Sequence, residues 1–160
     1  MHGRGFAHRD IKLDNISIDA NFNLKILDFG YARDIKGDNS EGFVETRAGT
    51  PMYMCPEVES SQKYKAIDAD LFATAVTLFV LKLQQYPWER TLRNDSSYTY
   101  WANHQTEDWW QQRVPGCTMD DPFVDLMNKT LAYDNFTRLS LADFVAHPYM
   151  RGPTMSQEEV

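Results

Sequence analysis

Short apolar stretches separated by a polar linker characterise the first part of the chain. Residues 16–19 and 23–27 are two such stretches, and the turn-like sequence Asp-Ala-Asn-Phe joins them. Short apolar runs bounded by turn residues are typical of paired strands. The pattern therefore predicts a small two-stranded β-hairpin near the start of the chain.

The rest of the chain has the apolar spacing of helices. Residues 67–82 are apolar nearly all round and start with acidic residues, which predicts a buried helix. Residues 121–132 and 140–146 repeat apolar side chains at helical spacing after a capping residue. Residues 96–112 mix aromatic and polar side chains, which favours a helix and a loop that pack against the domain. We therefore predict an α+β fold that is mainly α-helical.

Residues 30–49 interrupt the regular pattern. They are rich in Gly, Asp, Asn, Ser and Glu and show no clear periodicity. A loop of that length in a compact domain is usually functional or mobile. We predict an irregular loop here, one domain over residues 1–150, and a polar, frayed tail over residues 151–160.

Composition and charge exclude several classes of protein. The 160 residues are 42% hydrophobic and 24% charged, which is ordinary globular composition. A net charge of −7 and the lack of a Lys/Arg block argue against nucleic acid as a partner. The two cysteines lack the spacing of a disulfide framework or a metal site. Because no apolar segment suits a signal peptide or a membrane span, we expect an intracellular, cytoplasmic protein without a membrane partner.

The string His-Arg-Asp-Ile-Lys-Leu-Asp-Asn at residues 8–15 is the most specific chemical signal in the chain. An Asp-Phe-Gly follows at residues 28–30, thirteen residues after the Asn. Either motif alone is weak, but the full string, the gap and the predicted strand pair between them make coincidence improbable. In this combination the chain resembles the eukaryotic protein kinase family.

The resemblance implies a role for each polar residue of these motifs. Asp10 would orient a serine or threonine hydroxyl of a protein substrate and accept its proton, and Lys12 would contact the transferred phosphate. Asn15 and Asp28 would hold Mg²⁺ on ATP, the two expected cofactors. Ser17 would lie beneath the adenine ring, where the family usually has an apolar residue. Phe29 and Gly30 would support and allow movement of the Asp before them.

Further motifs of the family follow in order. Residues 49–57, Gly-Thr-Pro-Met-Tyr-Met-Cys-Pro-Glu, resemble the end of the kinase activation loop. By this resemblance Thr50 would bridge Asp10 and Lys12, and Glu57 would pair with Arg138 in the core. Asp70 would accept hydrogen bonds from the backbone of the catalytic loop. Lys12 and the Gly-Thr-Pro indicate the serine/threonine type, and residues 71–83 and 101–110 are similar to kinases of the calcium/calmodulin-dependent and related groups.

The sequence positions of one threonine and two arginines suggest regulation by phosphorylation. Thr46 lies four residues before Thr50, where the family normally has an activating phosphate. Arg9 and Arg33 would pair with that phosphate, which an upstream activating kinase would add.

The sequence departs from the family pattern at its start. No Gly-rich nucleotide loop and no Val-Ala-x-Lys strand precede residue 1, so we expect a kinase-like C-terminal lobe without the N-terminal lobe. Such a fragment should expose an apolar patch at the adenine floor and would be inactive alone. An incomplete serine/threonine kinase domain is the main hypothesis. The alternatives are a non-catalytic binding or scaffold module, and a lobe completed by another chain.

Overall fold

A long buried helix forms the centre of the structure, a computed structural model that describes residues 1–38 and 41–152. This helix, α2, extends over Ala66–Leu83 and buries nine of its side chains, as the nearly continuous apolar run predicts. It ends at Gln84, which adopts a left-handed conformation. The prediction of a buried helix at 67–82 is confirmed, with each end displaced by one residue.

Five further helices and six short strands surround α2 in the described residues. The helices are α1 (Pro56–Glu59), α3 (Tyr98–Ala102), α4 (Thr106–Arg113), α5 (Pro122–Thr130) and α6 (Leu141–Ala146). The strands are β1 (Phe6–Ala7), β2 (Ile16–Ile18), β3 (Leu24–Ile26), β4 (Arg33–Asp34), β5 (Phe43–Val44) and β6 (Tyr64–Lys65). The predicted α+β, mainly helical class is confirmed.

The predicted helix boundaries near residues 121 and 140 coincide with caps. Asp121 accepts a hydrogen bond from the backbone of Phe123 at the start of α5. Ser140 accepts one from Asp143 at the start of α6. These short polar side chains satisfy N–H groups that have no partner inside the helix, which is why each helix begins there. The chain then makes a 3₁₀ turn at Pro148–Arg151, and most of the predicted tail lies outside the described residues.

The aromatic run at 96–112 forms the densest part of the core. The structure places two helices here, α3 and α4, where the sequence predicted one helix and a loop. Trp101, Trp109 and Trp110 are each 1% exposed, and the rings of Trp109 and Trp110 meet edge-on at 5.1 Å. Phe79 of α2 packs against both of these rings. The aromatic residues therefore anchor α3 and α4 to the central helix. This confirms the prediction that residues 96–112 pack against the domain.

The predicted hairpin is present, but the prediction of an irregular loop at 30–49 is wrong in two places. Strands β2 and β3 pair antiparallel, with Ser17 opposite Lys25. Within the supposed loop, β4 pairs with β1 and β5 pairs with β6. Each of these strands is only two residues long, and its partner lies about twenty or more residues away. A local pattern cannot reveal such pairing, because the partner strand supplies the hydrogen bonds.

Candidate active site

Asp70, in the first half of α2, binds the backbone of the His-Arg-Asp string at residues 8–10. Its carboxylate accepts hydrogen bonds from the backbone N–H of His8 at 2.7 Å and of Arg9 at 2.6 Å. The ring nitrogen Nε2 of His2 lies 2.7 Å from the same carboxylate. Arg9 has a φ of 68°, an unfavourable value for a residue with a Cβ, so this backbone needs external support. The predicted hydrogen bonds from this backbone to Asp70 are therefore present.

Three polar side chains meet at the centre of the site. Thr50 donates a hydrogen bond from Oγ1 to Oδ1 of Asp10 at 2.8 Å. Lys12 donates from Nζ to Thr50 Oγ1 at 2.8 Å and lies 3.1 Å from Asp10 Oδ2. The side chain of Asp10 is 4% exposed and that of Lys12 is 22% exposed. The predicted bridge through Thr50 is therefore present, and it holds a buried carboxylate beside a partly exposed ammonium group.

Gly49 allows the segment that contains Thr50 to approach this close. Its φ is +110°, a conformation that L side chains rarely adopt. A Cβ built at this position would lie 2.5 Å from the carbonyl oxygen of Arg9. Glycine is required here because any side chain would push the Thr50 segment away from the catalytic loop.

Asn15 connects Asp10 to the Asp-Phe-Gly segment. Its Nδ2 donates to the backbone oxygen of Asp10 at 2.9 Å and to Oδ2 of Asp10 at 3.2 Å. Its backbone oxygen accepts a hydrogen bond from the N–H of Leu27 at 2.8 Å. Asp28 is the next residue, so the two predicted metal ligands flank the open end of the hairpin, Asn15 just before β2 and Asp28 two residues after β3.

His8 joins the same two segments from the other side. Its Nε2 lies 2.9 Å from the carbonyl oxygen of Leu27, and its ring contacts Phe29 edge-on at 5.2 Å. Phe29 is still 56% exposed. Its ring therefore supports the Asp-Phe-Gly segment on one side only and faces open space on the other.

The conformation of Asp28 presents its carboxylate to the open side of the site. Its φ is 55°, and its Oδ1 accepts a hydrogen bond from the N–H of Gly30 at 3.1 Å. A Cβ on Gly30 would lie 3.1 Å from that same Oδ1, so a larger residue would crowd the carboxylate. The side chain is exposed at the surface of the described chain.

The donor atoms fit a magnesium–nucleotide complex. Because Asn15 uses its amide nitrogen on Asp10, its Oδ1 is left to bind a cation, and Asp28 would add carboxylate oxygen. Within residues 1–38 and 41–152 no group of three or more His, Cys, Asp or Glu side chains could form a metal cage. Mg²⁺ is typically held by one or two protein oxygens together with water and substrate phosphates. A pair of ligands suits that mode of binding.

The three predicted regulatory residues lie together. Arg33 donates from Nη1 to the hydroxyl oxygen of Thr46 at 3.3 Å, and also pairs with Asp38. Arg9 reaches the carbonyl oxygen of Thr46 at 3.5 Å and the hydroxyl of Tyr64 at 3.2 Å. The Thr46 side chain is exposed, so one guanidinium group contacts an accessible hydroxyl while a second contacts the backbone of the same residue.

Glu57 and Arg138 form the predicted buried ion pair, across 81 residues of sequence. Arg138 donates from Nη1 to Oε1 at 2.6 Å and from Nη2 to Oε2 at 2.9 Å. Burial lowers the pKa of Arg138, but the hydrogen bonds and charge of Glu57 outweigh burial and raise that pKa above its ordinary value. The pair fixes the end of the Thr50 segment to the helical core.

The hairpin next to the site exposes apolar side chains. Ile18, Leu24 and Phe22 are between 59% and 65% exposed, and Ser17 is exposed on the same hairpin. The predicted exposed apolar patch is thus present on this hairpin, and its role as an adenine floor stays a prediction. Nothing in the described residues brings Ser17 into contact with Asp10 or Lys12.

Two contributions to the site were missed by sequence reasoning. His2 binds Asp70 although 68 residues separate them, and no motif marks it. Glu59 is fully buried and pairs with Arg47 and Arg90, which lie on different loops. The local sequence of Glu59, Pro-Glu-Val-Glu, gives little sign of the second cluster, because both arginine partners are distant in sequence.

Comparison with known proteins agrees with this geometry. A family model described as protein kinase domain matches residues 1–150. The chain is 34% identical over 149 residues to the serine/threonine-protein kinase grp of Drosophila melanogaster, covering 93% of this chain and 28% of that protein. It is 31% identical over 157 residues to the serine/threonine-protein kinase chk1 of Schizosaccharomyces pombe, covering 96% and 30%. The chain therefore belongs to the protein kinase family.

A plant relative extends the comparison. The CBL-interacting protein kinase 10 of Oryza sativa subsp. japonica is 30% identical over 151 residues, covering 94% of this chain and 32% of that protein. The chain thus spans about a third of the length of the relatives that it matches. No helix among the described residues is long and apolar enough to cross a membrane.

Proposed function

We propose that this chain supplies the catalytic residues of a serine/threonine protein kinase, which transfers the γ-phosphate of ATP to serine or threonine hydroxyls of proteins. The observation that supports the proposal is the contact of Asp10, Thr50 and Lys12 at 2.8–3.1 Å. A carboxylate and an ammonium group at this distance suit a reaction that depends on positioning and charge compensation more than on covalent chemistry.

Each residue has a distinct role in this proposal. Asp10 orients the acceptor hydroxyl and takes up its proton, while Thr50 holds the Asp10 carboxylate in place. Lys12 places a positive charge where the transferred phosphate develops negative charge. Asn15 and Asp28 would hold Mg²⁺, which neutralises charge on the phosphate oxygens of ATP when bound. Ser17 would lie beneath the adenine ring.

The proposal assigns residues 1–150 to the C-terminal lobe of a kinase domain. The exposed apolar hairpin supports it, since a second lobe and a bound adenine would cover those side chains. An intracellular location belongs to the same proposal because ATP and two free thiols, Cys55 and Cys117, are typical of that compartment.

Regulation at Thr46 is a further part of the proposal. A phosphate on this hydroxyl would add about −1.5 to −2 charges next to Arg9 and Arg33 and would order the loop. Full-length protein carrying the phosphate should be more active than the Thr46→Ala variant treated with the same upstream kinase. Equal activities of the two forms would refute this role for Thr46.

The decisive test of the function is phosphate transfer by the full-length product of the gene that encodes this chain. Asp10→Asn should lower kcat by roughly 10²–10⁴, the usual contribution of a positioned general base. Asp14→Asn is the matched control, because Asp14 is an exposed carboxylate four residues further along, in the 3₁₀ turn Leu13–Asn15, and has no described hydrogen bond or ion pair with the three central residues. Equal losses in both variants would contradict the assignment of Asp10.

Nucleotide binding separates the enzyme from the alternative of a non-catalytic binding or scaffold module. The 160 residues alone should show no measurable Mg-ATP binding in calorimetry, because no Gly-rich loop or partner lysine lies among them. The full-length protein should bind Mg-ATP and lose that binding when Asp28 is changed to Asn. Full-length protein that fails to bind or transfer phosphate would favour the module.

A further inference from the structure

A fully buried carboxylate with two arginine partners lies beside the Thr50 segment. Glu59, at the end of α1, has no exposed side-chain surface. Arg47 donates from Nη2 to its Oε2 at 2.7 Å, and Arg90 contacts its Oε1 through both Nε and Nη2. One arginine is enough to neutralise the buried negative charge of Glu59, so the cluster has a net charge of +1.

Both arginines remain accessible to solvent. The side chains of Arg47 and Arg90 are 38% and 50% exposed. A guanidinium has five N–H donors, and among the described residues the Arg47 side chain donates one of them, to Glu59. The remaining donors can bind a carboxylate or a phosphate from another molecule.

The cluster lies close to the position where an acceptor hydroxyl must bind. Arg47 precedes Thr50 by three residues, and Thr50 contacts Asp10. Three residues span at most about 10–11 Å of backbone, so the backbone of Arg47 lies that close to Thr50, and its side chain can reach residues that neighbour a bound acceptor. The loop of Arg90 is fixed to the same segment, because Trp88 and Thr91 donate hydrogen bonds to the carbonyl oxygens of Met52 and Met54.

Among the contacts that the structure describes, no acidic side chain other than that of Glu59 reaches either guanidinium group, and Asp95 binds only the backbone N–H of Arg90. Glu45 is paired with Lys63 at 3.1 Å, on the exposed side of the β5–β6 pair. Glu89 is exposed beside Arg90, and its described contact is a backbone N–H held by Asp95. The whole chain has a net charge of −7, so long-range attraction of acidic substrates is absent and any preference must come from short-range contacts.

We infer that Arg47 and Arg90 form a specificity site that selects protein substrates with an anionic side chain, a carboxylate or a phosphate, within about three residues of the acceptor. The inference rests on the proposed kinase function and names its substrate class. Glu59 holds both guanidinium groups through one carboxylate, so their remaining donors can bind an anion with a smaller loss of side-chain entropy than two unrestrained arginines would have.

The test is a peptide scan with the full-length protein. A serine acceptor peptide is prepared with Asp, phosphoserine or the neutral Asn at each of three positions on either side. At one of these positions kcat/KM should be about five- to tenfold higher with Asp than with Asn, as expected for a charge-assisted contact at a half-exposed site. The value of kcat/KM should be higher with phosphoserine than with Asp if the anion binds both arginines. The two values should be equal if one arginine is enough.

Variants assign the preference to the cluster. In Arg47→Gln the ratio of kcat/KM for the Asp and Asn peptides should fall to about 1. Arg93→Gln is the matched control, an exposed arginine of the same loop that stacks on Tyr133 instead, and it should keep the wild-type ratio. Arg90→Gln should lower the ratio as well, and it replaces Arg47→Gln if that variant does not fold. Wild-type protein without a preference, or an Arg47→Gln variant that keeps it, would overturn the inference.

Direct binding distinguishes this inference from the proposed function. Fluorescence anisotropy with labelled Asp and Asn peptides measures recognition without phosphate transfer. An Arg47-dependent preference in binding, without transfer to any peptide, would refute the kinase function and support the anion site. Transfer without any preference would refute the anion site alone.

Discussion

Removing one member of the Glu57–Arg138 pair tests the account of the core most directly. In Arg138→Met, the Glu57 carboxylate loses two hydrogen bonds of 2.6 and 2.9 Å while its side chain is only 9% exposed. The carbonyl oxygens of Ala132 and Tyr133 lose donors at 2.7 and 3.1 Å. Breaking a buried ion pair from one side typically costs about 3–5 kcal/mol. For a domain of this size the loss corresponds to a Tm lower by roughly 6–20 °C.

Thermal unfolding followed by circular dichroism measures this change. Arg138→Lys keeps the charge but cannot make the two parallel bonds, so its Tm should lie between those of the wild type and Arg138→Met. The double variant Glu57→Gln with Arg138→Met should be less destabilised than the sum of the two single variants, because no charge is left buried alone. A Tm for Arg138→Met within about 2 °C of the wild type, or strictly additive losses, would refute the reasoning.

Three other predictions follow from local structure. Gly49→Ala should lower kcat roughly 100-fold in a phosphate-transfer assay, because its Cβ would meet the Arg9 carbonyl at 2.5 Å; unchanged kcat would contradict this. Burial raises the pKa of both thiols, but Cys55 is fully buried whereas Cys117 is partly exposed. Iodoacetamide should therefore label only Cys117 until urea unfolds the protein, and mass spectrometry can identify the labelled residue. Hydrogen bonds from Lys129 and then His147 lower the pKa of Asp125, so its stabilising effect is present above pH 3.8 and disappears as pH falls through the lowered value. Asp125→Asn should therefore lower Tm by about 1–2 °C at pH 7, this deficit should shrink as pH falls through the lowered pKa, and a deficit that stays the same in acid would count against this explanation.

Local sequence was enough for those elements whose stability comes from their own residues. The helix at 66–83 was predicted to within one residue at each end because its apolar run is continuous. The caps at Asp121 and Ser140 were visible because a capping side chain binds a backbone N–H only two or three residues away. The hairpin at 16–26 was found for the same reason, since its two strands are joined by a short turn.

Motif resemblance located the central polar residues but not the way they are held. The resemblance places Thr50 between Asp10 and Lys12, and the structure shows that contact. The left-handed backbone of Arg9 and Asp28 was not foreseen, because both are non-glycine residues with no local reason to adopt it. Only the contacts made by Asp70 and Gly30 explain how those conformations are kept.

By itself the sequence determined the helical class, the central helix, the hairpin and the kinase motifs, since each depends on spacing within a few residues or on a string of specific side chains. Only the tertiary structure decided that β4 pairs with β1 and β5 with β6. It alone also decided the contact of His2 with Asp70 and the assembly of Glu59 with Arg47 and Arg90. The partners in these contacts lie 12 to 68 residues apart. Each contact forms only when the intervening chain folds, at an entropic cost, and brings the partners together, which no local pattern records.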